Sequence, residues 1–239
     1  MVKRQREMTP PKHYQATVVS NTRESSKVYV TKFRVDEPSW EFEAGQYASF
    51  ILAPTLRRSL SFANPPNGAE FEVCADVTPK GPGSVWLIDL KLGDTADFIG
   101  PLGKFLVDKE SARPKIFVAT GTGIGPIRSM VYDALRHNET TDVWLYWGLR
   151  FEEDVFWHDE FLTLARRNKA FHYTLTLSKP GATWQGVDGR VTDHMFEQAQ
   201  ALKNFDFYLC GNRAMIHEVQ EKLLTQEVPE EQIKTELFY

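Results

Sequence analysis

A glycine-rich turn between an apolar strand and a helix most constrains how this chain folds. The run 115–120 (KIFVAT) has the composition of a buried strand, and the turn 121–125 (GTGIG) places three glycines within five residues. Pro126 then opens a run of helical character, and proline is well tolerated in a first helical turn. Glycines let a phosphate approach the backbone, and free amides at a helix start favour its charge. The spacing is not G-x-G-x-x-G, so a purely structural turn stays open at this point.

Strands and helices alternate throughout the segment that contains this turn. Apolar, strand-like runs lie at 115–120, 142–147, 171–177 and 206–210, and helical runs follow at 126–135, 159–168, 193–202 and 214–225. Such alternation predicts a doubly wound parallel α/β sheet with right-handed crossovers.

The preceding segment has a different texture. Between residues 14 and 107, short alternating or β-branched runs are separated by Gly, Pro and Asn turn signals, with one helix expected from Ser84. This pattern predicts a small antiparallel β-barrel. The texture changes near 111–114 (SARP). We therefore predict a disordered arm over 1–12, a barrel domain over 13–110 and an α/β domain over 111–239.

Composition narrows the classes of function. A formal net charge of −4 and a pI near 5.9 argue against general nucleic-acid binding. No apolar run approaches the roughly 18 residues that a membrane-spanning helix needs. Cys74 and Cys210 are the only cysteines, which excludes a disulfide framework and a four-cysteine zinc or iron–sulfur site and favours a reducing cytoplasm. The histidines show no metal-ligand spacing, so no metal site is predicted.

Five short motifs lie in the order of one known family. Residues 58–61 (RSLS) resemble R-x-Y-[S/T], 81–84 (GPGS) resemble G-x-x-[S/T], and 121–126 (GTGIGP) resemble G-T-G-[I/V]-[A/G]-P. Residues 210–212 (CGN) resemble a C-G-x-x segment, and the chain ends in an aromatic pair, Phe238 and Tyr239. Over residues 14–239 the sequence thus resembles the ferredoxin–NADP reductase superfamily, whose members pass hydride between a nicotinamide dinucleotide and FAD.

The resemblance implies a flavin site on the barrel. The residues that it assigns to FAD are Arg58, Ser59, Leu60, Ser61, Gly81, Gly83 and Ser84. Arg58 would neutralise the pyrophosphate, and Ser61 would face the flavin N5 edge. Leu60 stands where the family has a stacking tyrosine, which keeps an apolar contact and loses an aromatic lid. Taken alone, Arg58 also fits an exposed loop arginine, and Ser84 fits an ordinary helix N-cap.

The resemblance also implies a nicotinamide dinucleotide site on the α/β half. Gly121, Thr122 and Gly123 would cradle its phosphates, and Cys210 and Gly211 would lie near the hydride-donating carbon. Without the family in view, Cys210 is equally a small buried apolar residue. A terminal aromatic, Phe238 or Tyr239, would cover the flavin face and move aside for the nicotinamide. The catalytic candidates are Ser61, Cys210 and Tyr239.

Cationic and hydroxyl side chains favour NADPH over NADH. Ser178 with Lys179 follows the third α/β strand, and Arg190 and Arg150 stand at further positions where relatives bind the nucleotide. Ser178, Lys179 and Arg190 would hold the 2′-phosphate, whereas the segment with Arg150 occurs in relatives of both preferences. Solvated surface charges at Lys179 and Arg190 stay open.

The sequence therefore predicts an FAD-dependent NADPH oxidoreductase, with NADH as a possible donor. Because the chain has no cysteine-rich module, its electrons are expected to pass to a separate acidic ferredoxin or flavodoxin, or to an oxygenase component. Arg57, Lys80 and the basic N-terminal arm would steer such a partner. Two alternatives stay open: an NADH-dependent reductase of a multicomponent oxygenase, and a flavin-binding relay or regulatory subunit without pyridine-nucleotide turnover.

Overall fold

The computed structural model describes residues 11–137, 141–198 and 201–238, without the side chains of residues 197 and 198. Residues 1–10 of the predicted arm thus lie outside the described residues, and the first strand begins at Lys12. An antiparallel sheet is followed by a parallel one, which confirms the predicted fold class. Within the described residues, no helix combines the length and apolar character that crossing a bilayer requires.

The N-terminal half is a six-stranded antiparallel half-barrel with one helix. Its elements are β1 (Lys12–Arg23), β2 (Val28–Arg34), β3 (Tyr47–Ala53), β4 (Leu56–Ser61), β5 (Glu70–Asp76), α1 (Pro82–Asp89) and β6 (Thr95–Leu102). The strand order is β4-β3-β6-β1-β2-β5. Phe62, directly after β4, forms an isolated antiparallel bridge to Val73 on β5, so the two edges of the sheet meet at this point.

Aromatic rings fill the barrel. Phe33, Phe50, Phe71 and Phe98 have no exposed surface, and the ring centroid of Phe33 lies 5.1 Å from that of Phe50 and 5.3 Å from that of Phe71. Alternation along β2 sends such side chains inward and leaves Arg34 exposed at the end of the strand. Aromatic pairs of this kind contribute about 0.5–1.5 kcal/mol each beyond the burial of apolar area. They therefore stabilise the barrel on which α1 packs.

Helix α1 is anchored to the barrel at its C-terminal end. The side-chain amide of Asn21 on β1 donates to the carbonyl oxygens of Leu87 and Leu90 at 2.8 and 3.0 Å. Thr31 on β2 donates its hydroxyl to Asn21 Oδ1 at 2.8 Å. These bonds satisfy carbonyls that a helix end leaves free. They therefore fix where the opposite end of α1, at Gly81–Ser84, can lie.

The C-terminal half is a parallel sheet with helices on both faces. Its elements are β7 (Lys115–Thr120), α2 (Ile124–His137), β8 (Val143–Leu149), α3 (His158–Arg167), β9 (Phe171–Leu177), β10 (Val187–Asp188), α4 (Val191–Gln198), β11 (Asp206–Gly211), α5 (Arg213–Thr225) and β12 (Ile233–Leu237). The strand order is β10-β9-β8-β7-β11-β12. The order reverses between β7 and β11, and ligands of open α/β sheets bind at such a switch point.

The secondary structure differs from the sequence prediction in several elements. The helix expected from Ser84 already begins at Pro82. Strands β10 and β12 were not expected, because each is short and has few buried residues. The helix predicted over 193–202 begins earlier, at Val191, and its last described residue is Gln198. Leu202–Asn204 form a separate 3-10 turn after Ala201, whose φ of 55° is left-handed and incompatible with a continuing helix. The predicted boundary at residue 111 lies between β6 and β7 and stays a prediction.

Arg128 on α2 connects the two halves. It donates to the carbonyl of Ala63 at 2.8 Å and to Glu72 at 2.9 Å on the barrel side, and to Glu160 on α3 at 2.8 Å. Its guanidinium lies 4.5 Å from the ring centroid of Trp157. Arg128 therefore holds barrel, α2 and α3 together, and the cleft between the halves is framed by fixed elements.

Candidate functional site

A cavity of about 670 Å³ lies between the barrel and the C-terminal strand. Strand β4, the start of α1 and the end of β12 form its walls. The residues predicted to bind flavin all line it: Arg58, Ser59, Leu60, Ser61, Gly81, Gly83 and Ser84. The structure thus brings together two motifs that are separated by about twenty residues in sequence.

The start of α1 has free backbone amides and no acidic side chain in its first turn. Gly81 occupies the N-cap position without any side-chain capping bond, and Pro82 opens the helix, which has no acidic residue in its first turn. The backbone amides of Gly83 and Ser84 are among the groups that a helix start leaves free. Ser84 lies inside the helix and is not its cap, so the capping explanation for this serine does not hold.

Arg58 lies against the same helix start. A Cβ placed on Gly83 would be 2.6 Å from Arg58 Nε. Any larger residue at position 83 would therefore force the Arg58 side chain to move. A permanent cation and free helix amides around one cavity fit the pyrophosphate of a dinucleotide. These residues therefore match the chemistry of FAD, and Leu60, Tyr47 and Trp86 line the same cavity with surface that would suit its ring.

Ser61 and Glu236 both line this cavity, and Cys210 lies beside Glu236 on the neighbouring strand. Ser61 Oγ donates to Glu236 Oε2 at 3.2 Å, although 175 residues separate the two. Burial raises the pKa of Glu236 to about 7, against a smaller opposite effect of the Ser61 hydrogen bond. Cys210 is the register partner of Glu236 across β11 and β12. Burial, and the charge of Glu236, raise the pKa of the Cys210 thiol, which is fully buried and lines neither cavity.

A second cavity of about 510 Å³ opens at the switch point of the parallel sheet. Of the residues predicted to bind the nucleotide, Gly121, Thr122, Arg150, Ser178, Arg190, Gly211 and Phe238 line it. Gly123, Lys179 and Cys210 are not among its lining residues. Tyr239 lies outside the described residues.

The glycines of the turn have different roles. Gly121 has a φ of +56° and no atom within 4 Å of an added Cβ, so it faces open space in the cavity. An added Cβ on Gly123 would lie 2.5 Å from the carbonyl oxygen of Cys210, and one on Gly211 would lie 2.1 Å from Thr120 Oγ1. Gly123 and Gly211 therefore allow β7 and β11 to approach closely, and Gly121 leaves room for a ligand.

Phe238 lines both cavities, as does Asp76. The backbone amide of Phe238 donates to the carbonyl of Gly211 at 2.9 Å, which continues the pairing of β12 with β11. Among the described residues, Phe238 is thus an aromatic residue shared by the cavity that Arg58 lines, called the flavin-type cavity below, and the cavity that Gly121 lines, called the nucleotide-type cavity.

Lys27 and Asp154 close one side of the nucleotide-type cavity. Lys27 Nζ lies 2.8 Å from Asp154 Oδ1, and the carboxylate is almost fully buried. Lys27 belongs to the barrel half and Asp154 to the 3-10 turn after β8. This ion pair bridges the two halves beside the cavity that both residues line.

Several lining residues were missed from the sequence. Glu236 was not predicted because β12 was not, and Tyr47 was not predicted because no motif assigned it to the flavin. Lys27, Asp76 and Trp86 carry no local pattern, since their place follows from the packing of barrel on sheet. Within the described residues no cluster of His, Cys, Asp and Glu has metal-binding geometry.

Known proteins are similar to this chain in sequence and in fold. Residues 117–221 match the family "Oxidoreductase NAD-binding domain". The chain is 35% identical over 198 residues to ferredoxin–NADP reductase B of Sorangium cellulosum, covering 79% of this chain and 81% of that protein. It is 33% identical to the anthranilate 1,2-dioxygenase electron transfer component of Acinetobacter baylyi, covering 83% of this chain and 58% of that protein.

Solved structures agree with the fold. The cytochrome P450 reductase GcoB of Amycolatopsis superposes with a TM-score of 0.90 at 25% identity, over 100% of this chain and 73% of that one. A ferredoxin–NADP reductase of Neisseria gonorrhoeae with bound FAD and NADP superposes with a TM-score of 0.82 at 19% identity, over 95% and 99%. The fold and the paired cavities define an NAD(P)H-dependent flavoprotein oxidoreductase. The chain belongs to the ferredoxin–NADP reductase-like superfamily of FAD- and NAD(P)-binding oxidoreductases.

Proposed function

We propose that this protein binds FAD in the cavity of β4 and α1, oxidises NADPH bound at the β7 turn, and exchanges electrons with a separate ferredoxin or flavodoxin. The observation that carries the proposal is the shared wall at Phe238, across which the two cavities adjoin. The relative from Sorangium cellulosum is named a ferredoxin–NADP reductase, which supports the same choice of substrate and partner.

The barrel residues have defined tasks in this proposal. Arg58 and the amides at the start of α1 hold the pyrophosphate, and Leu60 packs against the ring system. Bound FAD supplies the ability to take two electrons as hydride and to release them singly or in a pair. The protein contributes orientation and exclusion of water, which is what hydride transfer between two stacked rings needs.

The residues of the α/β half position the nicotinamide nucleotide. Gly121 and Thr122 offer a turn for the nucleotide phosphates, and Phe238 must leave the shared wall before the nicotinamide reaches it. Ser61 and Glu236 lie at this junction as hydrogen-bonding groups. Because the pKa of Glu236 is about 7, its carboxyl holds a proton below neutral pH and accepts from Ser61 above it.

The visible spectrum of the purified protein tests the proposal. Protein reconstituted with FAD should show flavin absorbance, and anaerobic NADPH should bleach it faster than the same concentration of NADH. A colourless protein that refuses FAD would overturn the proposal as a whole. A flavin that neither nucleotide bleaches would favour a relay or regulatory subunit.

The partner is proposed to be acidic because exposed cations lie near the flavin-type cavity. Arg57 lines it, and Lys80 is exposed just before α1. Reduction of an added acidic ferredoxin or flavodoxin should slow as ionic strength rises. A rate that ionic strength does not change would argue against this steering. With both described cysteines free and buried, we propose the cytoplasm as the compartment.

A second candidate is the reductase component of an oxygenase, using NADH. The similarity to the anthranilate dioxygenase component favours it, although the chain spans only 58% of that protein. Faster flavin bleaching with NADH than with NADPH would select this candidate over the first.

A further inference from the structure

Arg190 lines the nucleotide-type cavity, yet its guanidinium is held by a neighbouring helix. Its Nη2 pairs with Glu218 Oε2 on α5, while Ser178 lines the same cavity at the end of β9. Arg190 thus stands beside the place proposed for the adenosine end of the nucleotide, with part of its hydrogen-bonding capacity already engaged.

Glu218 has a second cationic partner. Lys222, one turn further along α5, lies 3.0 Å from Glu218 Oε1. Partial burial raises the pKa of Glu218, but hydrogen bonds from Lys222 and Arg190 outweigh it and hold that pKa below its usual value. Glu218 is therefore a carboxylate at neutral pH, and it keeps an ion-pair partner when Arg190 turns away.

We propose that the Arg190 side chain has two positions, one paired with Glu218 and one bound to the 2′-phosphate of the nucleotide, and that Glu218 competes with this phosphate for the guanidinium. Glu218 then lowers the preference for NADPH over NADH. Lys222 supports that preference, because it stays paired with Glu218 when Arg190 turns to the phosphate. This inference rests on the proposed function, since it concerns the same nucleotide-binding cavity. It assigns specificity to residues of α5 that carry no nucleotide-binding motif.

Only the side chain of Arg190 has to move. Its carbonyl accepts from the amide of Asp193 at 3.1 Å, which anchors the backbone at the start of α4. More than half of the Arg190 side-chain surface is exposed, so its rotation displaces no core residue. An exposed ion pair of this kind is weak, which lets a phosphate with two negative charges compete with a single carboxylate.

Binding of two adenosine nucleotides to the FAD-loaded protein tests the inference. The probes are adenosine 2′,5′-bisphosphate, which carries the 2′-phosphate, and adenosine 5′-monophosphate, which lacks it. Isothermal titration calorimetry gives both dissociation constants for the wild type and for Glu218→Gln, Lys222→Gln and Glu221→Gln. Glu221→Gln is the matched control, because it removes the same charge from an exposed position of the same helix.

Glu218→Gln and Lys222→Gln should change the affinity for the bisphosphate in opposite directions. Glu218→Gln should tighten the bisphosphate about two- to fivefold, the range set by an exposed ion pair. Lys222→Gln should weaken it by a similar factor, because Glu218 then depends on Arg190 alone. Neither variant should change the affinity for adenosine 5′-monophosphate by more than about twofold, and Glu221→Gln should leave both constants as in the wild type.

Failure of the inference is distinct from failure of the proposed function. If the wild type binds the bisphosphate no more tightly than the monophosphate, the NADPH preference itself is wrong. If it prefers the bisphosphate but Glu218→Gln behaves like Glu221→Gln, Glu218 does not compete for Arg190. Weaker bisphosphate binding by Glu218→Gln would mean that Glu218 positions Arg190 for the ligand, which also overturns the competition.

Discussion

At the scale of single residues, Glu236 shows what the sequence could and could not reveal. Motifs on contiguous residues, such as 58–61 and 81–84, predicted part of the lining of the flavin-type cavity. Glu236 lies in no such motif, and its meeting with Ser61 depends on barrel and sheet packing together. Contacts between residues so distant along the chain follow from tertiary packing, which local pattern does not encode.

The pKa of Glu236 predicts a pH-dependent stability. Its pKa rises from an ordinary value near 4.5 to about 7 in the folded chain. The folded state therefore binds the proton more tightly than the unfolded chain, and stability falls as pH rises from about 4.5 to 7 and levels off above it. Between pH 6 and 8 the wild type should lose about 1 kcal/mol more than Glu236→Gln, or ~2–4 °C in Tm.

Thermal melts at the two pH values check this prediction. Glu231→Gln, which removes an exposed carboxylate in the turn before β12, should keep the pH dependence of the wild type. If Glu236→Gln keeps it as well, the buried carboxyl is not the source.

Arg58 should matter for flavin affinity and little for folding. Arg58→Gln removes the cation that lies against Gly83, and a charge-assisted bond to phosphate is worth about 1.5–3 kcal/mol. The dissociation constant for FAD, measured by flavin fluorescence with the apoprotein, should rise about tenfold or more. Arg34→Gln is the control, since Arg34 pairs with Asp36 outside the cavity. An unchanged affinity in Arg58→Gln would remove Arg58 from the site.

At the scale of elements, the sequence predicted the long, strongly patterned ones. The apolar runs of β7, β8, β9 and β11 are buried almost throughout or over much of their length, and this composition identifies parallel strands. Strand β12 (IKTEL) has only one fully buried residue, so its pattern resembles a loop. It forms because the edge of β11 offers free hydrogen-bonding groups, a tertiary reason.

The junction of α2 with the barrel should depend on Arg128. Arg128→Met leaves Glu72 and Glu160 without their shared cation. Loss of one partner from a buried pair costs about 3–5 kcal/mol, and the partial exposure of both carboxylates lowers the expected cost to about 2–4 kcal/mol. Urea denaturation should show this loss. Arg136→Met, which removes a single exposed bond of 3.4 Å to Pro66, should change stability by less than about 0.5 kcal/mol. Equal effects of the two substitutions would contradict the role given to Arg128.

At the scale of the whole molecule, the two halves make one functional unit. The barrel supplies Ser61, the sheet supplies Glu236 and Phe238, and the two cavities adjoin along the line where these residues lie. The sequence predicted both halves, and most of the candidate binding residues line one of the two cavities. Glu236, Lys27 and Arg128 were not predicted, because their contacts across the two halves follow from tertiary packing.

The central claim is that hydride passes between a nucleotide at the β7 turn and FAD in the barrel cavity. Stopped-flow absorbance of the FAD-loaded protein, mixed anaerobically with NADPH carrying deuterium or hydrogen at the transferred position of C4, tests it most directly. The account predicts that one equivalent of NADPH bleaches one flavin and that deuterium slows the bleaching. No bleaching of bound flavin by either NADPH or NADH would contradict the account.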